Sequence, residues 1–194
     1  MSDGRSRTND PDRRQRIVTA TLDVIAEHGV AGTTHRRIAS AAGVPLGSVT
    51  YYFTTLDVLL TAAFTDLARQ SSDAFQARLT QAENRVDARE AIVDIIAGSV
   101  WAKPRTLLLS YELYAYAARH PSVSSVMQGW MNASRAALER HFDPLTARAL
   151  DALVEGIGIH NSIDPHPLDR AAIADIVHRI SNDDDGPRAT GRDG

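Results

Sequence analysis

Apolar residues recur every three to four positions through most of this sequence, while glycine and proline stand between those stretches and not inside them. Such spacing places apolar side chains on one face of a helix. No stretch alternates apolar and polar residues with the period of two that a half-buried strand shows. The pattern therefore predicts an all-α fold of about nine helices, and no internal repeat is visible.

Three helices are predicted in the first third of the chain. The first spans Pro11–His28, and Gly29 ends it. The second follows Thr34, a suitable N-cap, and stops at Gly43, and the third spans residues 46–53. The apolar face of the first helix consists of Ile17, Ala20, Thr21, Val24 and Ile25.

The helices that follow are longer. Thr55 is predicted to cap a fourth helix that extends towards Leu79. Prolines separate most of the later segments, which are predicted at about 87–101, 104–119, 122–142, 144–163 and 168–180. We therefore divide the chain into a disordered N-terminus (1–10), a three-helix head (11–55), a helical body (56–181) and a disordered tail (182–194).

Charge is distributed unevenly along the chain. Residues 1–53 carry seven arginines and five carboxylates, a formal charge of +2, whereas the whole chain carries −3. A basic end on an acidic body is typical of a protein that contacts phosphate through one end only.

The composition excludes several classes of protein. Because the sequence has no cysteine, a disulfide scaffold, a thiolate zinc site and a redox-sensing thiol are excluded. No apolar stretch approaches the ~20 residues that span a bilayer, and the polar segment Met1–Asn9 is not a secretory signal. We therefore expect a cytoplasmic protein without a membrane partner and without a cofactor or metal.

The most informative stretch is residues 29–60. Two short helices joined by a tight turn at Gly43 match the helix-turn-helix pattern. The turn needs a positive φ, which only glycine adopts at little cost. In this arrangement the N-terminal part of the second helix lies in the major groove of DNA. The residues predicted to lock the two helices together are Ile38, Ala39, Ala42, Val44 and Val49.

A set of residues at fixed spacing runs from the end of the first helix to the start of the fourth. Its members are Thr33-Thr34, Ile38-Ala39, Ala42-Gly43-Val44, Gly47-Ser48-Val49, Tyr51-Tyr52-Phe53, Asp57 and Leu59-Leu60. Over about the first 65 residues the chain thereby resembles the TetR family of bacterial regulators. The resemblance implies an Ω-shaped homodimer, in which the fourth helix connects a DNA-binding head to a ligand-binding and dimerisation body.

The resemblance also implies roles for individual residues. The positions that match base-contacting residues of the family are Arg36, Leu46, Gly47 and Thr50. The positions that match phosphate-contacting residues are Thr34, His35, Ser48, Tyr51 and Tyr52. The chemistry agrees, because an arginine can bond guanine with two hydrogen bonds and hydroxyls donate to phosphate oxygens.

Two positions depart from the family pattern. Leu56 stands where the family usually has lysine, so one phosphate contact is predicted to be missing. Thr50 stands where tyrosine is frequent, so the base preference of relatives does not carry over.

These features predict a sequence-specific regulator, a repressor that a small-molecule ligand releases from a near-palindromic operator; activation stays open. Ligand binding in the body would move the fourth helix and change the separation of the heads. An enzyme is not expected, because the sequence has no Gly-x-Ser-x-Gly, no phosphate loop and no His-Glu-x-x-His. The alternative is a helical small-molecule-binding or interaction protein without DNA binding, which Leu56 would favour.

Aromatic and methionine residues are grouped on helices of the body. They are either ordinary core or the lining of an apolar pocket with a few polar groups. The candidate ligand-binding residues are Trp101, Tyr111, Tyr114, Met127, Trp130 and His160. A metal site at His160, Asp164 and His166 is not expected, because Pro165 intervenes and the histidines lack i, i+4 spacing.

The segments 144–163 and 168–180 are apolar on more than one face, which indicates burial on two sides. On the first segment the apolar residues are Leu145, Leu150, Leu153, Val154, Ile157 and Ile159, and Gly156 and Gly158 permit close approach. On the second they are Ala172, Ile173, Ile176, Val177 and Ile180. In a two-fold homodimer these segments would form a four-helix bundle with their copies.

Overall fold

The computed structural model describes residues 12–98 and 104–182 of the chain. Within those ranges it contains nine α-helices and no strand, which confirms the predicted fold class. The helices are α1 (Arg13–His28), α2 (His35–Ala42), α3 (Leu46–Tyr52), α4 (Leu56–Thr80), α5 (Arg85–Ala97), α6 (Pro104–Ala117), α7 (Pro121–Leu138), α8 (Pro144–Asn161) and α9 (Arg170–Ser181).

Side-chain caps explain where the helices of the head begin. The Thr34 hydroxyl accepts a hydrogen bond from the Arg37 N–H at 3.3 Å, which confirms the predicted N-cap of α2. The Thr55 hydroxyl accepts from the Val58 N–H at 3.2 Å at the start of α4. Each cap satisfies a backbone donor that the first turn of a helix leaves without a partner.

The turn between α2 and α3 has the geometry that the sequence predicts. Gly43 adopts a φ of 63°, and its N–H bonds the carbonyl groups of Ala39 and Ser40. A Cβ added at Gly43 would meet no atom within 4 Å. Glycine is therefore needed for the left-handed backbone and not for lack of space.

Other helix boundaries differ from the prediction. α5 begins at Arg85, earlier than predicted, because the Asn84 side chain accepts from two N–H groups of the first turn. α7 ends at Leu138, short of the predicted residue 142, and Asp143, which precedes Pro144, takes an extended conformation that caps α8. α9 begins at Arg170, two residues later than predicted, where the Asp169 side chain provides the cap. The predicted helical residues 11 and 99–101 lie outside the described part of the chain.

The chain forms two compact units, the first comprising the residues up to Gln70 together with Leu108–Met127. In the first unit the largest fully buried side chains of the head are Ile17, Ile25, Ile38 and Phe53. Val49 is also buried, but Ala42 and Val44, which we expected to lock α2 to α3, are only half-buried. They lie beside the turn, where fewer neighbours cover them.

The second unit comprises Ser71–Leu107 and the residues from Gln128 onwards. Here α5 packs against α8 and α9 around buried aliphatic side chains. The Arg89 guanidinium donates to the Ser181 carbonyl at 2.8 Å and to the Asn182 side chain at 3.1 Å. Asn182, which we assigned to the disordered tail, is the C-cap of α9. The other residues predicted to be disordered, 1–10 and 183–194, lie outside the described ranges. The boundary between the head and the body, which we place at residues 55–56, stays a prediction.

Within residues 12–98 and 104–182, none of the helices combines the length and the hydropathy that spanning a lipid bilayer requires.

Candidate functional site

The α3 helix turns a mixed polar and aromatic face to solvent. Val49 is its buried side chain and fixes which face points outward. Tyr51 is 80% exposed and Leu46 is 41% exposed. Of the other predicted DNA-binding residues on α3, Gly47 and Thr50 are exposed and Ser48 and Tyr52 are half-buried. Every predicted contact residue of this helix is therefore at least partly accessible.

Two details of α3 bear on how it would meet DNA. The Thr50 hydroxyl donates to the Gly47 carbonyl at 3.3 Å, so its hydrogen is engaged within the helix. A Cβ added at Gly47 would meet no atom within 4 Å. Nothing in the described residues requires glycine there, whereas a closely approaching DNA backbone would.

The N-terminal turn of α2 brings further predicted contact residues to the surface. Thr34 and Arg36 are exposed, while the Arg37 guanidinium donates to the Gly32 carbonyl. His35 is half-buried, and its Nε2 atom is buried with no hydrogen-bond partner among the described residues. A phosphate contact at His35 would therefore use its backbone N–H, a free donor at the helix start, or Nδ1.

Residues of α6 hold the end of α1 within the first unit. The Glu112 carboxylate accepts a hydrogen bond from the Val30 N–H at 3.1 Å. Gly29, just before, has a φ of 67°, and a Cβ there would lie 3.0 Å from Glu112 Oε1. The carboxylate thus fits against the chain where α1 gives way to the loop before α2.

One turn further along α6, Tyr116 holds the start of α4. Its phenol donates to Asp57 Oδ1 at 2.8 Å, and its ring stacks on His120 with 3.7 Å between centroids. Burial, assisted by the hydrogen bond to Asp57, raises the pKa of Tyr116 to about 12. The phenol is thus a proton donor throughout the neutral range.

Replacing Tyr116 by phenylalanine should change how stability depends on alkaline pH. The folded state favours the neutral phenol, so its contribution is complete below the unfolded pKa of 10 and is lost as pH rises towards 12. Between about pH 9 and pH 11 the wild type should lose about 1 kcal/mol more unfolding free energy than Tyr116→Phe. Urea unfolding followed by circular dichroism measures this difference. Tyr51→Phe, a change on an exposed ring, is the control, and its unfolding free energy should decline with pH like that of the wild type. An equal decline in Tyr116→Phe would contradict the raised pKa of Tyr116.

The second unit contains a small cavity of about 20 Å³. Its walls combine aromatic rings, hydroxyl groups and carboxylates, contributed by Ser71, Phe75, Trp130, Ser134, Asp151, Val154 and Glu155. A space of this size holds about one water molecule, whereas ligand pockets usually start at about 300 Å³.

The predicted ligand-binding residues do not all gather at this cavity. Trp130 lines it, while His160 is exposed on α8. Met127 is buried and Tyr111 and Tyr114 are half-buried, all within the first unit. Trp101 lies outside the described residues. The ligand-contacting role of this set stays a prediction.

Several residues at the centre of these arrangements were not among the predicted site residues. Glu112 and Tyr116 share a face of α6 at i, i+4, which is a signal that the sequence carries. Asp151 and Glu155 repeat this spacing on α8, where an acidic pair interrupts a largely apolar helix. The partners of these groups come from distant parts of the chain and have no local signal.

Two regions of the sequence match known domain families. Residues 17–63 match the tetR family of bacterial regulatory proteins. Residues 83–183, more than half of the chain, match the C-terminal domain of tetracyclin repressor-like proteins.

Named relatives extend this likeness over most of the chain. BetI 2 of Chromohalobacter salexigens, an HTH-type transcriptional regulator, is 30% identical over 181 residues, which cover 87% of this chain and 86% of the relative. PksA of Bacillus subtilis, also an HTH-type transcriptional regulator, is 26% identical over 179 residues, which cover 85% of this chain and 86% of the relative.

Solved structures agree. The regulator SCO7518 from Streptomyces coelicolor A3(2) superposes with a TM-score of 0.80 at 44% identity, covering 89% of this chain and 99% of that one. The multidrug binding protein EbrR in complex with ethidium superposes with a TM-score of 0.73 at 32% identity, covering 88% of this chain and 99% of that one. The chain therefore belongs to the TetR family of helix-turn-helix transcriptional regulators.

Proposed function

We propose that this regulator is a repressor that binds a near-palindromic operator as a homodimer and is released by a small organic ligand. Its two heads would reach successive major grooves, about 34–36 Å apart. We place the DNA contacts in the head (11–55) and the ligand and dimer contacts in the body (56–181). The protein would act in the cytoplasm, with the chromosome, and carry out no catalysis.

The observation that carries the proposal is the outward face of α3. Its apolar anchor, Val49, is buried, while the side chains assigned to bases and phosphates are accessible. Arg36 is exposed in the first turn of α2, within the same compact unit. A buried recognition helix would have ruled out DNA binding by this route.

Exposed apolar side chains support a dimer face on α8 and α9. Leu145 is 79% exposed and Ile163, just beyond α8, is 78% exposed. Ile176 and Ile180 on α9 are half-buried in the single chain. Large apolar groups left partly uncovered on neighbouring helices favour a second copy of this chain as their cover.

The effector class is proposed from the relatives and from charge. EbrR has been solved in complexes with ethidium, proflavin and malachite green, and the three structures are 32–34% identical to this chain. Excluding the first 53 residues, the chain is acidic. We therefore propose an aromatic organic cation as the ligand that releases the operator.

Arg36→Ala tests the DNA-binding part of the proposal. We expect it to weaken operator binding by about 1–3 kcal/mol and to relax the preference at one base position. Operator fragments come from sequencing the genomic DNA that the protein retains, and gel shifts at two salt concentrations then measure affinity.

Arg36→Lys is the matched control. It keeps the charge but loses the planar fork that bonds guanine, so it should keep the salt dependence and lose the base preference. Unchanged operator affinity in Arg36→Ala would refute the role of Arg36. No shift of any fragment by the wild type at either salt would favour a ligand carrier without DNA binding.

A further inference from the structure

The recognition helix and the segments beside it carry no basic side chain. Residues 38–68, which include all of α3 and the first half of α4, contain no lysine, arginine or histidine. Protein cations that lie against phosphates release counterions, and this release supplies the part of DNA affinity that is independent of sequence. The cations that accompany α3 on DNA therefore have to come from other elements of the head.

One such cation, Arg14 of α1, lies beside the end of α3. Its guanidinium carbon, Cζ, lies over the ring of Phe53 at 5.1 Å from the centroid. Phe53 directly follows α3, and its N–H bonds the Val49 carbonyl at 2.9 Å. The guanidinium therefore lies against the residue that comes next after Tyr51 and Tyr52, for which we predict phosphate contacts.

Contacts on neighbouring residues fix the first turn of α1. The Phe53 ring is 1% exposed and is therefore held by the core, and its face attracts the guanidinium. Next to Arg14, Gln15 Nε2 donates to Asp66 Oδ2 at 3.0 Å, and Asp66 on α4 is buried. Arg14 itself is exposed. Because its guanidinium is held in place before DNA arrives, less conformational entropy is lost when it bonds an anion.

The contact with Phe53 leaves the charge of Arg14 available. An aromatic ring attracts a guanidinium but, unlike a carboxylate, does not neutralise it. The environment of Arg16 on the same helix differs, because Arg16 lines an open groove together with the carboxylates of Asp12 and Asp23. An exposed guanidinium on a ring at the end of the recognition helix is suited to bond the oxygens of a phosphate group.

We infer that Arg14 contacts a DNA phosphate next to the C-terminal end of α3, and that the Phe53 ring positions its guanidinium for that contact. Arg14 thereby provides a cation near Leu56, three residues after Phe53, where we predicted that a phosphate contact is missing. The inference rests on the operator binding proposed above and adds to it a contact that does not depend on base sequence.

Gel shifts of Arg14→Gln between about 50 and about 200 mM salt test the inference. Affinity for the operator and for an unrelated duplex of equal length should fall by the same factor, about tenfold, because a phosphate contact carries no base preference. The slope of log affinity against log salt should become shallower by about one for each protomer. Arg14→Lys keeps the charge and should keep most of the slope.

Arg140→Gln is the matched control, because it removes the same charge from an exposed arginine of the second unit. The Arg140 guanidinium donates to the Thr80 hydroxyl at 3.0 Å, and Thr80 is also exposed. This variant changes the net charge of the protein as Arg14→Gln does, and it should leave both the affinity and the slope unchanged. An equal change of slope in the two variants would overturn the contact in favour of a net-charge effect.

Phe53→Leu tests the positioning role of the ring. Leucine keeps an apolar side chain in the core but removes the aromatic face that attracts the guanidinium. It should weaken operator binding in the wild type and have no further effect in Arg14→Gln, and equal losses in both backgrounds would overturn the positioning. If Phe53→Leu does not fold, nuclear magnetic resonance of the wild type decides, because a guanidinium over the ring gives Arg14 side-chain protons an upfield ring-current shift. Unshifted resonances would overturn the positioning.

The outcomes separate this contact from the wider proposal. Unchanged affinity and slope in Arg14→Gln would overturn the contact and leave operator binding standing. A loss of affinity with an unchanged slope would also overturn it, since Arg14 would then act only on the structure of the head. A wild type that shifts no DNA at any of these salt concentrations would refute operator binding itself, and the contact with it.

Discussion

Phe53→Ala should lower the free energy of unfolding by about 3–5 kcal/mol, the usual cost of removing a buried aromatic side chain. Phe53 is 1% exposed and directly follows α3, where its N–H still bonds the Val49 carbonyl. The Arg14 guanidinium lies over its ring, 5.1 Å from the centroid. Because whole domains are stable by only about 5–15 kcal/mol, the head should lose its fixed structure and operator binding with it.

Tyr51→Ala is the matched control, two residues away on the exposed side. Its stability should stay within about 0.5 kcal/mol of the wild type, while operator affinity falls through loss of the phosphate contact that we propose for Tyr51. Chemical unfolding and operator gel shifts on both variants measure the two properties separately. If Phe53→Ala were as stable as Tyr51→Ala, Phe53 would not be the core residue that its burial indicates.

Gly156→Arg should abolish the homodimer and weaken operator binding about a hundredfold or more, because a monomer engages one half-site at a time. A Cβ at Gly156 meets no atom within 4 Å in the single chain, so a side chain can begin there without a clash. Arginine also favours a helix interior over glycine by up to about 1 kcal/mol. The variant should therefore fold as well as the wild type while a large charged group blocks the proposed α8 face.

Gly129→Arg makes the same chemical change on the exposed part of α7, where an added Cβ also meets nothing within 4 Å. Sedimentation equilibrium should show a dimer for Gly129→Arg and a monomer for Gly156→Arg. A dimeric Gly156→Arg protein with full operator affinity would move the interface away from this face of α8.

The head could be predicted closely because its signals are local. Thr34 caps α2 and Gly43 reverses the chain through interactions that span five residues or fewer. The burial of Ile17, Ile38 and Phe53 follows from helical periodicity and from the short connections. In this region even the outward face of α3 could be predicted, since one buried residue of a short helix fixes the others.

The surroundings of the candidate ligand-binding residues could be predicted only in part, for a physical reason. Trp130 was a candidate, but its neighbour in the cavity, Asp151, lies on another helix and pairs with Arg135 across 16 positions of sequence. His160, also a candidate, lies in the last turn of α8 and is exposed. Helical periodicity gives the face of each residue but not the rotation of one helix against the next, and the cavity depends on that rotation.

The two hydrogen bonds from α6, one to the segment after α1 and one to the first turn of α4, have a mechanical consequence. Glu112 fastens the segment that follows α1, and Tyr116 fastens the first turn of α4 through Asp57. These attachments lie one helical turn apart on a single rigid rod, on either side of the recognition motif in sequence. Because α6 is attached at two points, α1, α2 and α3 cannot rotate about either attachment alone. A shift of α6 would therefore move these three helices together and change the orientation of α3 without unfolding it.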